Sequence, residues 1–358
     1  MGHEGDTRAL AARLCRRAAA CLLAAGSAGP TVATRVAEIP DGPVQLYGLI
    51  GTYIASLKRS DMSSRQITEG SGGLTTSYWG IRGSEHLGAH YRLIFALEGF
   101  FQPNNGNQGR STSDPFLSRN AYVGIAGDFG QLTLGRQTNP TYLAMQAINP
   151  FGASVVFSPL VLQSFVSSYG GALLGDTVWS NVVRYQTPDL AGLSATVDYG
   201  FSDDASRAQR HNAGLHLRYA YRGWTAAISA QRVGATTLNG SSAQKAVLAG
   251  AAYDFGPLEL YAAGQTSRNE AVQIGTRTFE FGASVPVSRQ GAVLAEFARM
   301  RRSGPGNAAG NNTTRRTAAL GYDHRLSKRT DVYGVLMADR LSGHGTGCSV
   351  GAGLRHTF

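Results

Sequence analysis

The chain ends inside an alternating strand, and this ending restricts its fold more than any other feature of the sequence. A soluble domain rarely stops within a strand on an aromatic residue, whereas a closed barrel pairs its last strand with its first and keeps the terminus in its wall. We therefore expect a closed barrel. The two faces of the last strand carry Ser349, Gly351, Gly353, Arg355 and Thr357 on one side and Val350, Ala352, Leu354, His356 and Phe358 on the other.

Alternation with a period of two runs through the rest of the chain from Val44 onward. In 89–98, for example, Leu93 and Phe95 fall on one face, while Arg92 and Glu98 fall on the other. A soluble sandwich gives the same alternation, so this pattern alone does not decide the fold. An antiparallel barrel requires an even number of strands. We predict sixteen, at 44–56, 73–85, 88–101, 116–127, 130–137, 180–187, 191–202, 211–222, 223–233, 243–255, 257–267, 275–287, 290–301, 313–326, 329–340 and 347–358.

Turn lengths and aromatic residues favour a barrel that spans a membrane. Short turns are predicted at 127–130, 254–257 and 326–329, and long polar ones at 102–115, 203–210, 235–242, 268–275 and 302–312. Spanning barrels combine short periplasmic turns with long outer loops, and aromatic residues collect at their membrane interfaces. We therefore predict an all-β, 16-stranded antiparallel transmembrane β-barrel. Aromatic residues at strand ends include Tyr47, Tyr53, Phe100, Phe101, Tyr199, Phe201, Tyr219, Tyr221, Trp224, Tyr253, Phe255, Tyr322, Tyr333 and Phe358.

Composition excludes several other classes of protein. The chain has 358 residues, and its mean hydropathy is −0.14 with no apolar run long enough for a membrane helix. Its net charge of +10 comes mainly from arginines that stand singly in alternating segments, which disfavours a nucleic-acid binder. Once the leader is removed, Cys348 alone remains of three cysteines, so we expect neither a disulfide framework nor a metal site.

Residues 1–33 have the parts of a secretory signal peptide. Arg13, Arg16 and Arg17 precede an alanine- and leucine-rich stretch, and small residues follow it. Cleavage after Ala28 or Ala33 fits this pattern. The basic region is unusually long and carries Glu4 and Asp6, and one explanation is a start codon placed too far upstream. The remaining chain, 34–358, is predicted to be one barrel domain.

Several motifs resemble the general porins of Gram-negative bacteria, in their β-proteobacterial branch. They are Val44–Ile50, Tyr78–Gly88, Arg119–Ile125 with Asp128–Gln137, Asn181–Pro188 and the terminal strand that ends in Phe358. The resemblance covers essentially all of 44–358. It implies a homotrimer among outer-membrane lipids and lipopolysaccharide that passes small hydrophilic solutes without a cofactor. It also implies that the barrel-assembly machinery reads Phe358.

The resemblance further implies that the long connection 138–179 is a third loop folded inward to narrow the pore. Arg119 and Arg184 match two arginines of the basic wall that faces this loop in the family, while Tyr78 occupies the position of a third. Arg82 and Arg92 are candidates to replace that missing charge. Asp176 is the one acidic or basic residue between Gln137 and Ser180, so we expect a positive constriction that favours anions.

Arg136 falls on the face of Leu132 and Leu134, and the resemblance makes it a subunit contact. Catalytic and metal sites are not expected. The motif Gly347–Gly351 matches G-x-S-x-G but leaves no room for the helix of a nucleophile elbow, and His344 with Cys348 lacks a third ligand. Three alternatives remain open: a substrate-specific channel, an adhesin or structural barrel with a plugged pore, and a barrel enzyme.

Overall fold

The computed structural model describes residues 44–88, 90–202, 211–237, 240–270, 272–305 and 312–358. The predicted signal peptide therefore lies outside the described residues. Strands dominate the structure and account for nearly all of its regular backbone. The described strands are β1 (Gln45–Leu57), β2 (Gln66–Ser71), β3 (Tyr78–His86), β4 (Tyr91–Phe100), β5 (Ala121–Gly127), β6 (Gly130–Thr138), β7 (Val178–Gln186), β8 (Leu193–Gly200), β9 (Asn212–Tyr221), β10 (Trp224–Thr237), β11 (Gly240–Asp254), β12 (Glu259–Asn269), β13 (Ile274–Pro286), β14 (Gly291–Ser303), β15 (Thr313–Arg325), β16 (Thr330–Leu341) and β17 (Thr346–Thr357).

Helices occur between β6 and β7. They are α1 (Pro140–Ala147), α2 (Pro159–Phe165) and a short 3-10 turn at Ser167–Tyr169. Within the described ranges, none of the helices has the length and hydrophobicity needed to span a membrane.

All strands belong to one antiparallel sheet that closes on itself. The first strand pairs with the last, with Leu49 opposite Thr357 and Ser56 opposite Val350. At the end of this seam the Gly48 amide donates to the Phe358 carbonyl oxygen at 3.2 Å, and the Phe358 amide donates to the Gly48 carbonyl oxygen at 3.1 Å. The predicted closed barrel of sixteen spanning strands, with the chain terminus built into its seam, is confirmed.

The second spanning strand is made of two segments, β2 and β3. The C-terminal part of β1, from Thr52, pairs with β2, and its N-terminal part, up to Leu49, pairs with β3. The interruption between them includes Gly72 and Gly73, whose φ angles of 85° and 96° a β-strand cannot accommodate. The Tyr333 hydroxyl donates to the Gly72 carbonyl oxygen at 3.1 Å and fills the gap. The predicted strand 73–85 was therefore wrong in its start, since pairing begins at Gln66.

The two faces of the wall differ in polarity, in the sense opposite to that of a soluble protein. Large apolar side chains stand exposed on the outward face, among them Ile54 at 65% and Phe281 at 63%. Polar side chains on the inward face are buried, and Ser229, Thr278 and Glu280 are 0% exposed. This inversion fits a barrel with hydrocarbon outside and polar contents inside.

The short turns lie where they were predicted, between β5 and β6, β11 and β12, and β15 and β16. Two of the predicted long connections were wrong. Strand β10 continues to Thr237 and β11 begins at Gly240, while residues 270–273 separate β12 from β13. Backbone pairing of a hairpin can continue beyond the membrane whatever the polarity of its residues, so polarity overestimates these loops. The predicted connection 203–210 lies outside the described residues.

A methyl group at Gly48 should weaken the seam. Its Cβ would lie 2.5 Å from the Phe358 ring and 2.6 Å from the Tyr78 carbonyl oxygen, which the strand ladder holds in place. We expect Gly48→Ala to lower the free energy of unfolding by about 1–3 kcal/mol, measured by urea titration in detergent micelles. Gly345→Ala, where a Cβ meets nothing within 4 Å, is the control. Equal midpoints for the two variants would contradict this account of the seam.

Candidate functional site

The connection 138–179, which was predicted to be a loop, contains two helices. Each helix begins at a residue pair that favours a helix start. The Asn139 side chain accepts from the Tyr142 amide at 2.8 Å ahead of Pro140, and the Ser158 hydroxyl accepts from the Val161 amide at 3.3 Å. A side-chain cap followed by proline is a well-known start signal, so these helices could have been predicted.

Apolar side chains hold this segment against the strands of the barrel. Helix α1 contacts β9, β10 and β11, while α2 contacts β13, β14 and β15. Met145 and Leu160 are 0% exposed and pack with Leu248 of β11. Phe157 belongs to a second buried cluster with Tyr333 of β16. The segment is thus fixed to one arc of the wall, from β8 round to β17.

Polar groups of the same arc complete the attachment. The Glu296 carboxylate accepts from the Leu160 amide at 2.7 Å and from the Ser158 hydroxyl at 3.0 Å, so it caps the start of α2. Glu280 lies next to it across β13 and β14, beneath Pro150. Glu280 is 0% exposed and Glu296 is 3% exposed. Both acids are therefore covered by the segment.

On the opposite arc, formed by β1 and β3 to β7, Glu98 organises a polar cluster. This buried carboxylate accepts hydrogen bonds from the Tyr47 hydroxyl, the Asn120 amide and the Arg119 guanidinium. The guanidinium carbon of Arg119 lies 4.1 Å from the centroid of the Tyr78 ring, a cation–π contact. Two predicted site residues, Arg119 and Tyr78, therefore touch each other.

Arg184 is fully engaged within the wall. Its Nε and Nη2 donate to the two carboxylate oxygens of Asp198 at 2.7 and 2.6 Å, and Nη2 also donates to the Thr138 carbonyl oxygen at 2.5 Å. The residue is 9% exposed. Arg184 and Asp198 therefore form a structural ion pair, and Arg184 also fixes the start of the 138–179 segment through Thr138.

Arg82 has a different environment from the other candidates. Its guanidinium lies 4.5 Å from the centroid of the Tyr47 ring, and its Nε donates to the Gln45 side chain at 3.4 Å. No acid forms an ion pair with it among the residues that the structure describes. Arg82 is thus the candidate whose charge stays uncompensated.

Tyr122 of β5 lies within electrostatic range of Arg82, Arg119 and Arg184. Arg92 shares the inward face but stands near the start of β4, about 20 Å along the strand from Glu98. The structure therefore brings together four of the predicted residues and leaves Arg92 apart from them.

Asp176 joins three parts of the chain. Arg110 binds its two oxygens at 2.7 and 2.8 Å, and Arg136 binds one of them at 3.1 Å. Burial alone would raise the pKa of Asp176, but the hydrogen bonds and charges of Arg110 and the charge of Arg136 outweigh it and lower the pKa below its usual value. Arg110 also binds Asp114 at 2.8 Å. Arg110 was missed in the sequence because no local pattern marks it.

The other guanidinium nitrogens of Arg136 also donate hydrogen bonds within the chain. Nε donates to the Ser118 carbonyl oxygen at 2.9 Å, and Nη1 donates to the Ser180 hydroxyl at 2.8 Å. Its assignment as a subunit contact stays a prediction.

The motifs set aside in the sequence have no catalytic geometry. Residues Gly347–Gly351 lie within β17, without the strand-to-helix turn that a nucleophile elbow requires. In the described ranges, His, Cys, Asp and Glu side chains form no group of three that could bind a metal.

A family model described as Gram-negative porin matches residues 18–344. The chain belongs to the Gram-negative porin family. As a porin it is an outer-membrane channel whose β-barrel crosses the membrane many times.

Individual porins resemble it along most of their length. Outer membrane porin protein 32 of Delftia acidovorans is 27% identical over 307 residues, which is 84% of each chain. An outer membrane porin protein of Bordetella pertussis is 26% identical over 407 residues and covers 95% of this chain and 98% of its own. An anion-selective porin from Comamonas acidovorans has the same fold, with a TM-score of 0.73 at 23% identity, covering 88% of this chain and 99% of its own. The trimer form of OmpT from Vibrio cholerae gives a TM-score of 0.66 at 14% identity, over 89% of this chain and 100% of its own.

Removing one partner of the Arg184–Asp198 pair should destabilise the porin. Arg184→Met leaves a carboxylate that is 1% exposed without its counter-charge, and such a loss costs about 3–5 kcal/mol of unfolding free energy. The double variant Arg184→Met/Asp198→Leu should recover most of this loss. Urea titration in micelles measures both variants. A double variant as unstable as the single one would refute the role of the pair.

The ion pairs of Asp176 with Arg110 and Arg136 tether the segment 138–179, and this tether should weaken in acid. Because its pKa is lowered in the folded porin, the tether is intact at neutral pH and is lost as the pH falls below about 4. We expect open-channel current noise to rise in that range as the 138–179 segment loosens. Asp176→Asn should be noisy already at pH 7 and insensitive to acid, whereas Asp128→Asn, in a short turn, should behave as the parent. A quiet Asp176→Asn channel would argue against the tether.

Proposed function

We propose that this porin is a passive, anion-preferring diffusion channel for small hydrophilic solutes, narrowed by the segment 138–179 folded into its lumen. The packing of α1 against β9–β11 and of α2 against β13–β15 supports this arrangement. Solutes would then pass between the segment and the opposite arc, where Glu98, Arg119 and Arg82 lie.

The charge available to a passing solute favours anions. Glu98, Asp198, Asp331 and Asp339 each bind an arginine, and Glu259 accepts from the Tyr261 hydroxyl at 2.6 Å. Glu280 and Glu296, as described above, lie beneath the segment. Most inward acids are thus compensated or covered, and the segment facing the basic arc carries only Asp176, which is itself paired.

Some inward arginines, in contrast, have no ion-pair partner among the described residues. They include Arg82 of β3, Arg218 of β9 and Arg302 of β14, which donates to the Gly170 carbonyl oxygen at 3.3 Å. Arg82 is the observation that carries the proposal, because it stands in the Glu98–Arg119 cluster and rests on Tyr47. Arg119, with a side chain that is 26% exposed, contributes a weaker field because Glu98 offsets its charge.

By family resemblance we propose the remaining assignments. The porin is exported by the signal peptide 1–33 and assembles as a homotrimer among outer-membrane lipids and lipopolysaccharide. The trimeric OmpT supports this oligomeric state. Arg136 contributes to the subunit contact, and the barrel-assembly machinery recognises Phe358. No catalysis or cofactor is involved.

A second candidate function is a substrate-specific channel. A cavity of about 600 Å³ lies where the 101–120 connection meets the segment 138–179, lined by Arg110, Asp114, Val155, Phe165 and Asp176 among others. Its combination of apolar and charged walls suits an amphipathic solute. A current that saturates with solute concentration would favour this function over general diffusion.

Arg82→Gln should reduce the preference for anions. Removing the uncompensated charge weakens the positive field at the narrow part of the pore. The measurement is the zero-current potential of a planar bilayer across a tenfold gradient of potassium chloride, and we expect the anion-to-cation permeability ratio to fall by roughly twofold or more. Arg268→Gln, on the outward face, is the control and should leave the potential unchanged. A cation-selective parent, or an unchanged Arg82→Gln, would overturn the proposal; a parent without any current would indicate a plugged barrel.

A further inference from the structure

Between β2 and β3 the chain leaves the sheet for six residues, 72–77, which we refer to as the bulge. On β1, Leu49 pairs with the start of β3 and Thr52 pairs with the end of β2. Ile50 and Gly51, two residues of β1, therefore face all six residues of the bulge. A strand with extra residues opposite its neighbour has to bend away from the ladder. The bulge is thus a departure of the backbone from the wall of the barrel.

A serine side chain closes the gap that the bulge would leave in the backbone pairing of β1. The Ser77 hydroxyl accepts from the Gly51 amide at 3.0 Å and donates to the Gly51 carbonyl oxygen at 2.9 Å. The Gly72 amide donates to the same carbonyl oxygen at 2.8 Å. Hydrocarbon offers no partner for backbone groups, so a departure from the ladder within a membrane wall requires such replacements. The bulge therefore supplies its own replacement partners.

The bulge lies on the face of the sheet that carries Tyr333 and Arg355. Leu74 is 4% exposed and packs in one buried cluster with Tyr333. Arg355 Nη1 donates to the Thr75 hydroxyl at 3.0 Å. A Cβ at Gly73 would lie 1.8 Å from the Tyr333 hydroxyl, so the backbone approaches this tyrosine too closely for any side chain. The bulge therefore has one packed position against β16 and β17.

The turn between α1 and α2 is bound to the bulge through Ser154. The Ser154 hydroxyl donates to the Gly73 carbonyl oxygen at 2.7 Å and accepts from the Phe157 amide at 2.8 Å. Ser154 is 0% exposed. The Phe157 ring packs in the same cluster as Leu74 and lies edge-on to Tyr53, with 5.6 Å between the ring centroids. One hydroxyl thus fixes the shape of the turn and joins it to the bulge.

A regular strand could not make this contact. Carbonyl groups of a strand within a sheet point along the sheet to the neighbouring strands, whereas the Gly73 carbonyl oxygen accepts from the segment 138–179. The φ angles of Gly72 and Gly73, 85° and 96°, allow this change of direction. The contact carries the segment around the barrel, past β16, β17 and β1, to the edge of the arc that holds the Glu98 cluster.

We propose that the bulge is a positioning element of the pore, which holds the turn between α1 and α2 back against the wall and so keeps the passage beside the segment 138–179 open. Helices α1 and α2 pack against β9–β11 and β13–β15 at the two ends of this turn, whereas the bulge holds the turn itself. Without that hold, the turn can enter the passage while both helices stay attached. The inference deepens the proposed function and rests on it, because it concerns a channel narrowed by this segment.

Single-channel recording in planar bilayers tests the hold with Leu74→Ala/Ser154→Ala, which removes both the apolar contact and the hydrogen bond. The fraction of time that the channel spends below its full conductance should rise about tenfold or more, because the freed turn enters the passage. Leu74→Met keeps the apolar contact and should behave as the parent does. The matched control is Leu326→Ala/Ser327→Ala, which makes the same two changes in the exposed turn between β15 and β16. It should also behave as the parent does.

A second measurement follows the turn without any current. In a Cys348→Ser background, Ser154→Cys places a thiol that the packed turn should shield from a charged, water-soluble thiosulfonate. Adding Leu74→Ala should raise the labelling rate about tenfold, because the turn leaves the bulge more often. Adding Leu326→Ala instead should leave the rate unchanged. Mass spectrometry of the purified porin measures the labelled fraction over time.

Three outcomes would each overturn the inference: a steady conductance in Leu74→Ala/Ser154→Ala, the same effect in the matched control, or an unchanged labelling rate with Leu74→Ala. If the double variant does not assemble a barrel, Ser154→Ala alone, which removes only the hydrogen bond, decides by the same recording. A parent without any current contradicts the proposed function instead. The labelling rates then still decide whether the bulge holds the turn.

Discussion

Pairing of the first strand with the last is the constraint on which the rest of the structure depends. Hydrocarbon offers no partner for a backbone amide or carbonyl, so a sheet in a membrane must close. The Gly48–Phe358 bonds complete this closure, and Gly48 has no side chain because the Phe358 ring occupies that position. Once the sheet is closed, each strand has one face in hydrocarbon and one face inside, and the inverted polarity of the wall follows.

Closure also determines what the inner charges can do. An arginine on the inward face lies in a confined space where an unpaired charge is costly, and Arg119, Arg184, Arg315 and Arg355 each meet an acid there. The apolar segment 138–179 removes two further acids, Glu280 and Glu296, by lying over them. In the proposed channel, the groups left without a partner set what a solute encounters, and Arg82 then contributes more than its paired neighbours.

Much of the barrel could be predicted from the sequence, because alternation and turn residues are local. The interruption at Gly72 was missed, and the Tyr333 hydroxyl that bonds to the Gly72 carbonyl oxygen there is distant in sequence. The candidate site shows the same division. Inward faces were readable for Arg119, Arg184 and Arg82, but the compensation of each charge depends on register: Arg184 meets Asp198 across β7 and β8, and Arg110 meets Asp176 between two connections. Helices α1 and α2 were predictable from Asn139–Pro140 and Ser158–Pro159, and were overlooked because the segment was regarded as a loop.

The same residue type thus has opposite environments on the two faces of one wall. Arg315 and Arg316 are neighbours in sequence, yet one is buried in an ion pair and the other is exposed opposite two arginines. The net charge of +10 for the whole chain therefore does not measure the field in the pore. Part of the excess lies in the basic residues of the leader and part in exposed arginines on the outward face of the strands, such as Arg277, Arg299 and Arg316. The net charge adds together an inner and an outer surface that hydrocarbon and backbone keep apart. Individual uncompensated groups inside the barrel are therefore a better guide to the ion selectivity of the pore.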